Sequence, residues 1–287
     1  MVQDTLCGEF GGINVQLPKR CTLGYGPGRH TELWGESSSD RLARWRQLRD
    51  QHGARYKEPR HPVVYDLNRD SYRAPEWDTV DWKQCVLFFG CSEMFGVAAN
   101  IDETVPYLYT DITGIPGVNL GIPGGSNGEI AQLCGAVLDM IEVKPAAIVV
   151  SWAPLARLHI RYHDQYYTVG PWNVDNPEQF DTDATIGAWR YCRDQYRTRV
   201  ISDESLQEEF GAWRSYIKGV VPSDVALIEY SGIEPATCAL TGQTWWDKQM
   251  PDDLARDGWH SNGRRNRRIV NQLLQEYQYL PGYRRSQ

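Results

Sequence analysis

Short apolar runs alternate with amphipathic segments along the chain from residue 85 onwards. The runs have the length and continuity of strands buried on both faces. They lie at residues 85–89, 117–120, 146–150 and 225–230. Apolar residues recur at helical spacing within residues 130–141, 206–217 and 269–277. This alternation predicts an α/β fold with a parallel sheet covered by helices on both faces, in which a ligand binds at the carboxyl ends of the strands.

The first 80 residues lack this alternation. We predict one amphipathic helix over residues 40–52 and a strand at residues 63–65. Residues 1–80 are therefore expected to form an extension packed on a main domain of residues 81–287. An irregular insert is expected at about residues 159–203. Its aromatic side chains either stack on sugar rings or pack internally, and they are Tyr166, Tyr167, Trp172, Trp189 and Tyr191.

Charge and composition exclude several functional classes. The net charge of −7 argues against nucleic-acid binding, which needs a basic surface to displace counterions. No apolar run approaches the roughly 18 residues of a membrane helix, and the first residues lack the pattern of a secretory signal peptide. Seven cysteines without a C-x-x-C pair argue against a disulfide framework or a zinc knuckle. We therefore expect a reducing compartment such as the cytoplasm.

Ser92 is a candidate nucleophile. It follows the first predicted strand within the segment FGCSEMFG at residues 89–96. A serine on a glycine-flanked turn leaving a central strand lies at the sheet's carboxyl edge, where the amides of the turn point at a developing oxyanion. Met94 stands where a G-x-S-x-G elbow has its second glycine. A structural serine in a tight turn is the alternative interpretation.

A candidate base and its orienting acid lie just before the last predicted helix. Asp257 precedes His260 by three residues in the segment DGWH. Such an acid can accept from Nδ1–H of the histidine and leave Nε2 free to take the serine proton. A surface acid beside a capping histidine is the alternative, but a nucleophile after the first strand together with this pair favours a Ser–His–Asp arrangement.

A glycine-rich loop follows the second predicted strand, with the sequence NLGIPGGS at residues 119–126. Glycines there allow the backbone to approach a substrate oxygen, or they simply form a turn. Ser126 and Glu129 have the spacing of a capping box, which predicts a helix whose N-terminus favours negative charge.

These three segments, in their order along the chain (residues 89–96, 119–126 and 257–260), resemble the SGNH (GDSL-like) hydrolases. Residues 90–96 resemble the family's first block in a variant of bacterial and phage members, with Cys in place of the Asp of G-D-S. Residues 119–125 resemble the second block, and residues 257–260 resemble the last. The resemblance covers about residues 83–278.

The resemblance implies a three-layer α/β/α sandwich with a flavodoxin-like parallel sheet. It also implies Ser92 as nucleophile, His260 as base, Asp257 as orienting acid, and the backbone amides of Ser92 and Gly124 as the oxyanion hole. Family members are esterases, lipases, thioesterases and carbohydrate acetyl-esterases, and they need no metal or other cofactor. The expected reaction is hydrolysis of a small acyl ester, such as an acetyl group on a carbohydrate, through a covalent acyl-enzyme.

One block departs from the family pattern. The third block carries an Asn that donates to the oxyanion, and here the best-aligned residue of the segment VSWAP at residues 150–154 is Ala153. This departure implies a slower enzyme, a substitute donor such as Ser151 or Arg157, or a catalytically inactive relative. The inactive relative would be a structural or binding module, for example a virion component in a homo-oligomeric assembly.

Two further clusters have competing interpretations. His159 and His163 have the spacing of metal ligands on a helix, but the neighbouring alternation of apolar and polar residues predicts a strand, and no H-E-x-x-H motif is present. We therefore expect no metal site. A basic cluster at the start of the last helix forms either a solvated face or a surface that attracts an anionic polymer, and it comprises Arg264, Arg265, Arg267 and Arg268.

Overall fold

The structure is a computed structural model that describes residues 7–10, 13–16, 26–32, 50, 62–171, 173–175, 185–200, 202–231, 260–277 and 280–281. Its strands are β1 (Cys7–Phe10), β2 (Ile13–Gln16), β3 (Gly28–Glu32), β4 (Val63–Leu67), β5 (Val86–Gly90), β6 (Gly117–Gly121), β7 (Ala147–Ser151), β8 (Leu158–Tyr162), β9 (Gln165–Val169) and β10 (Ala226–Tyr230). Its helices are α1 (Ser92–Phe95), α2 (Val105–Thr113), α3 (Asn127–Met140), α4 (Ile186–Arg199), α5 (Asp203–Val220) and α6 (Gly263–Glu276), with 3-10 turns at Trp77–Thr79 and Ile101–Glu103. None of these helices is long and apolar enough to cross a membrane.

Strands β5, β6, β7 and β10 form a parallel sheet in the order β10-β7-β5-β6, while β1–β2, β3–β4 and β8–β9 pair as antiparallel two-stranded sheets. β5 comes first in the sequence of the parallel sheet but lies inside it, with β6 on one side and β7 and β10 on the other. This is the flavodoxin-like order. In such sheets the crevice for a ligand opens at the carboxyl ends of the strands where the order reverses, here β5 and β7.

The residues of β5 face two different helical layers in alternation. Val86 and Phe88 pack with apolar residues of α2 and α6, whereas Leu87 and Phe89 pack with those of α3 and α5. All five residues of the strand are buried. Burial on both faces is the reason for the continuous apolar run, and it confirms the predicted three-layer α/β/α sandwich.

Most elements predicted from hydrophobic periodicity are present. The four strands of the parallel sheet begin and end within one residue of the predicted bounds, and β4 includes residues 63–65. The capping box at α3 is formed, because Ser126 Oγ accepts the Glu129 N–H at 3.2 Å and the Glu129 carboxylate accepts the Ser126 N–H at 3.2 Å. The helix predicted over residues 40–52 lies outside the described residues, apart from Asp50, which is helical.

The insert at about residues 159–203 stays a prediction, but its described residues are more regular than expected. This segment contains most of the β8–β9 hairpin and the whole of α4. α4 buries only a narrow stripe, formed by Ala188, Cys192 and Tyr196. One small residue, one cysteine and one tyrosine among charged neighbours give little hydrophobic periodicity, so the helix does not stand out in the sequence.

Several residues between 63 and 82 pack on the central sheet and on the turn of Ser92. Tyr72 and Trp77 belong to the same apolar cluster as β5 and α3. Trp77 donates its Nε1–H to Asp70 at 2.6 Å, and the Tyr65 ring stacks on Phe95 with centroids 5.7 Å apart. The division of the chain into an extension of residues 1–80 and a main domain stays a prediction.

Candidate active site

Ser92 lies at the carboxyl edge of the parallel sheet. β5 ends at Gly90, Cys91 is the N-cap of α1, and Ser92 is the first residue of that single-turn helix. The Ser92 side chain is mostly buried, and its Oγ lies 4.0 Å from Cys91 Sγ. The crevice predicted from strand order and the serine predicted from the sequence therefore coincide.

Strand β6 holds α1 in place by direct backbone packing. Asn119 donates its side-chain amide to the carbonyls of Met94 at 3.0 Å and Phe95 at 3.4 Å. A side chain at Gly121 would place its Cβ 2.3 Å from the backbone nitrogen of Phe95, so only glycine fits there. The turn that carries Ser92 is thereby fixed against the end of β6.

Arg73 holds the other side of the same turn. Its guanidinium donates to the carbonyls of Phe95, Gly96, Val64 and Ala99 at 2.8–3.2 Å. The side chain is buried, and burial lowers its pKa to about 10, so it stays charged at neutral pH. The sequence offered no signal for this role, because a buried arginine is recognised only when the carbonyls around it are assembled.

The segment that contains His260 is hydrogen-bonded to the turn that contains Ser92. The backbone N–H of Ser261 donates to Oε2 of Glu93 at 3.0 Å. The residue after the candidate base is thus bonded to the residue after the candidate nucleophile. Asp257 lies outside the described residues, and its role as orienting acid stays a prediction.

Buried polar side chains lie next to the hydrogen bond between Ser261 and Glu93. Arg265 Nη1 donates to Ser261 Oγ at 3.1 Å, and Ser151, Glu93 and Arg265 are among the groups that act on the pKa of the Tyr230 phenol. Arg265, Ser261, Tyr230 and Ser151 are all buried. Burial raises the pKa of Tyr230 well above its ordinary value, so the phenol stays neutral.

Three of the four arginines at the start of α6, Arg264, Arg267 and Arg268, are exposed, as expected of a solvated face, and Arg265 is the exception. Arg265 is buried and bonded to Ser261, so it belongs to the interior of the site. Arg267 lies on the surface and pairs with Asp111 of α2 at 3.3 Å. The helical spacing of four arginines in five positions forces one of them inward, because their side chains point in different directions around the helix.

The glycine-rich loop after β6 has the backbone expected of an oxyanion loop. Gly124 has φ of +73°, the left-handed region that favours glycine, and the Gly125 N–H closes a turn onto the Ile122 carbonyl at 2.9 Å. Among the described residues, no acceptor receives the N–H of Ser92 or Gly124.

Ala153 offers no donor of its own to that oxygen. Its backbone N–H donates to Asn127 Oδ1 at 2.8 Å, and its carbonyl accepts from Asn127 Nδ2 at 3.1 Å. Its methyl group is buried within the apolar core. Of the two substitute donors predicted from the sequence, Ser151 is buried at the end of β7, whereas Arg157 Nη1 lies 3.5 Å from the Gly125 carbonyl.

The two histidines His159 and His163 lie in the β8–β9 hairpin. His159 lies in β8, as the alternation predicted, and His163 lies at the turn that follows with φ of +53°. The His159 ring stacks on Tyr166 at 4.6 Å, and its Nε2 lies 3.2 Å from Gln132 Oε1. Within the described ranges, no group of three His, Cys, Asp or Glu side chains could hold a metal ion.

Comparisons with known proteins give weak likenesses to solved structures of one family. No protein-family model and no curated protein matches the chain. A GDSL-like protein from Bacteroides ovatus is 13% identical, with 74% of this chain and 54% of that chain covered and a TM-score of 0.30. This chain thus covers about half the length of that protein.

Two further structures are similar in the same way. A protein of the G-D-S-L family from Desulfitobacterium hafniense is 12% identical, with 66% and 97% of the two chains covered and a TM-score of 0.33. AlinE4, an SGNH-hydrolase family esterase, is 17% identical, with 52% and 77% covered and a TM-score of 0.24. Likenesses at these TM-scores carry no inference about activity, so a functional assignment depends on the residues of this chain.

Proposed function

We propose that the chain is a serine esterase with Ser92 as nucleophile, His260 as base and Asp257 as the acid that orients the base. The observation that carries this proposal is the hydrogen bond from the Ser261 N–H to Glu93, which joins the His260 segment to the Ser92 turn. The location at the carboxyl ends of β5 and β7 supports it, because parallel sheets bind their ligands there.

The proposed reaction proceeds through a covalent acyl-enzyme. Ser92 Oγ attacks the ester carbonyl while His260 Nε2 takes the hydroxyl proton, and the tetrahedral oxyanion is bound by the N–H groups of Ser92 and Gly124. His260 then returns the proton to the leaving alcohol. Water attacks the acyl-enzyme by the same route and releases the carboxylic acid with a free Ser92.

The proposed substrate is a small acyl ester, such as an acetyl group on a carbohydrate. The SGNH resemblance of the sequence motifs suggests this class. Aromatic rings on the insert are compatible with a sugar, because Tyr166 and Tyr191 are exposed by 45% and 41% and can stack on a pyranose face. Tyr167 is buried and Trp189 is half-buried, so these two are packing residues.

A scaffold without useful turnover is the second candidate function, for example a virion component. The environment of Ala153 favours it, because the place of the third-block Asn holds a methyl group and the backbone N–H is bonded to Asn127. An enzyme at this site needs another hydrogen-bond donor to the oxyanion, or it works with the backbone amides of Ser92 and Gly124 alone.

A fluorophosphonate probe and p-nitrophenyl acetate together test the esterase. The probe should label wild-type Ser92, and Ser92→Ala and His260→Ala should abolish both labelling and ester hydrolysis. Ser215→Ala is the matched control, since this exposed serine on α5 donates to the carbonyl of Gly211 within its own helix, and its loss should leave both unchanged. Labelling at another serine would contradict the assignment, and absence of labelling and of turnover on several esters would favour the scaffold.

A further inference from the structure

Glu93 places a carboxylate directly beside the candidate nucleophile. It is the second residue of α1 and is half-buried. Its Oε2 accepts the N–H of Ser261 from the far end of the described chain, 168 positions away. A carboxylate in the first turn of a helix is favoured by the unbonded N–H groups there, and a hydrogen bond to an ionised acceptor is stronger than one between neutral groups.

Ser261 is held from two sides. Glu93 binds its backbone from α1, and Arg265 of α6 donates to its Oγ at 3.1 Å. The side chain of the next residue, Asn262, caps α6 by accepting the N–H groups of Arg264 at 3.0 Å and Arg265 at 3.3 Å. The α6 end of this segment is therefore fixed by its own helix, and Glu93 supplies the bond that joins it to the turn of Ser92.

We propose that Glu93 is a positioning residue for the reaction, holding the His260 segment against Ser92 through the Ser261 N–H. This inference rests on the proposed function, since His260 matters only if it serves Ser92 as a base. Proton transfer between two side chains requires them within hydrogen-bond reach, and a displacement of about 1 Å costs as much as 100-fold in rate. Without the Glu93 bond, nothing on α1 among the described contacts binds Ser261.

Two substitutions separate the hydrogen bond from the charge. Glu93→Ala removes the acceptor and should lower kcat on p-nitrophenyl acetate by about 10- to 100-fold, with little change in KM. Glu93→Gln keeps an oxygen that can accept the Ser261 N–H and should recover most of that loss. Glu76→Ala is the matched control, because Glu76 also accepts a backbone N–H, that of Arg69 at 2.9 Å, away from the site.

Amide hydrogen exchange at Ser261 gives a readout that does not depend on turnover. The exchange of this N–H should be slow in the wild type and in Glu93→Gln, and at least about tenfold faster in Glu93→Ala, because exchange requires the hydrogen bond to open. If the wild type is active and Glu93→Ala keeps its kcat, the positioning role fails while the esterase stands. If the wild type neither turns over nor labels at Ser92, the proposed function fails and the positioning role falls with it.

Discussion

The side-chain amide of Asn127 is hydrogen-bonded to both backbone groups of Ala153, with its oxygen accepting the N–H at 2.8 Å and its nitrogen donating to the carbonyl at 3.1 Å. This pair joins the first residue of α3 to the loop after β7, on either side of the crevice. The Ala153 N–H is therefore already hydrogen-bonded, and the Ala153 methyl group lies in the apolar core. The loop is therefore shaped by Asn127 and not by a side chain at position 153.

Ala153→Asn should lower stability and leave kcat without a gain. The new amide would enter a filled apolar core, and overpacking of this kind costs about 1–3 kcal/mol before the burial of a polar group is counted. Urea unfolding and p-nitrophenyl acetate hydrolysis measure the two effects. Ala156→Asn is a control in the same loop, where the residue is half-buried and the cost should be smaller. A tenfold or larger rise in kcat for Ala153→Asn would instead place that side chain in the oxyanion hole.

Arg157→Met should lower kcat with little effect on stability. The guanidinium lies at 3.5 Å from the Gly125 carbonyl, next to the candidate oxyanion amide of Gly124. A full oxyanion donor contributes about 10²–10³ in rate, and a half-buried arginine at the edge of the loop should contribute about tenfold to 100-fold. The control is Arg161→Met, an exposed arginine on the hairpin that binds the His163 carbonyl. Equal kcat for wild type and Arg157→Met would remove Arg157 as a substitute donor.

Arg73→Met should destabilise the fold strongly. Four carbonyls lose a donor in the interior, and each buried acceptor left unsatisfied costs about 1–3 kcal/mol. We expect the free energy of unfolding in urea to fall by about 3 kcal/mol or more. Arg69→Met tests a surface arginine, whose ion pair with Glu76 at 3.8 Å should contribute less than about 1 kcal/mol. A loss as small as that of Arg69→Met would show that water replaces the guanidinium.

His159 should make the fold less stable in mild acid. Burial lowers its pKa below the ordinary value of 6.5, so the unfolded chain takes up the proton first as the pH falls. The stability that comes from the neutral His159 is fully present above a pH of about 6.5. It is lost as the pH falls through the folded-state pKa, and the free energy of unfolding drops by no more than about 1.4 kcal/mol per pH unit.

His159→Phe keeps a ring against Tyr166 and should flatten this dependence between pH 7.5 and about 5 in urea unfolding. His163→Asn removes an exposed histidine from the same hairpin and should reproduce the slope of the wild type. If the free energy of unfolding falls equally with pH in wild type and in His159→Phe, then other groups cause the loss of stability in acid.

The sequence was sufficient for the central sheet because its strands are buried on both faces. Residues such as Leu87 and Phe88 must both be apolar when each packs on a different helical layer, and the resulting run is visible without any structure. The capping box at Ser126 was visible for a similar reason, since both of its partners lie within one helical turn.

The features that the sequence does not predict depend on contacts between segments that are far apart in the chain. The sequence does not predict α2, because its sequence VPYLYTDIT mixes proline, threonine and tyrosine, and its buried residues find their partners on β5 and α6. In the folded chain Arg73 donates to backbone carbonyls and Arg265 donates to Ser261, both in the interior. In the sequence alone, neither differs from a surface arginine. Of the candidate site, Ser92 and the segment of His260 come together as the motifs suggest, while the catalytic roles stay predictions.

The close approach at Gly121 limits how the turn of Ser92 can be changed by substitution. A Cβ at that position would lie 2.3 Å from the Phe95 nitrogen, so any substitution at position 121 collides with the backbone of α1. Randomising position 121 would therefore return mostly unfolded variants. Exposed positions of the β8–β9 hairpin such as Tyr166 have no such constraint, so substitutions there should be tolerated far better than in the turn of Ser92.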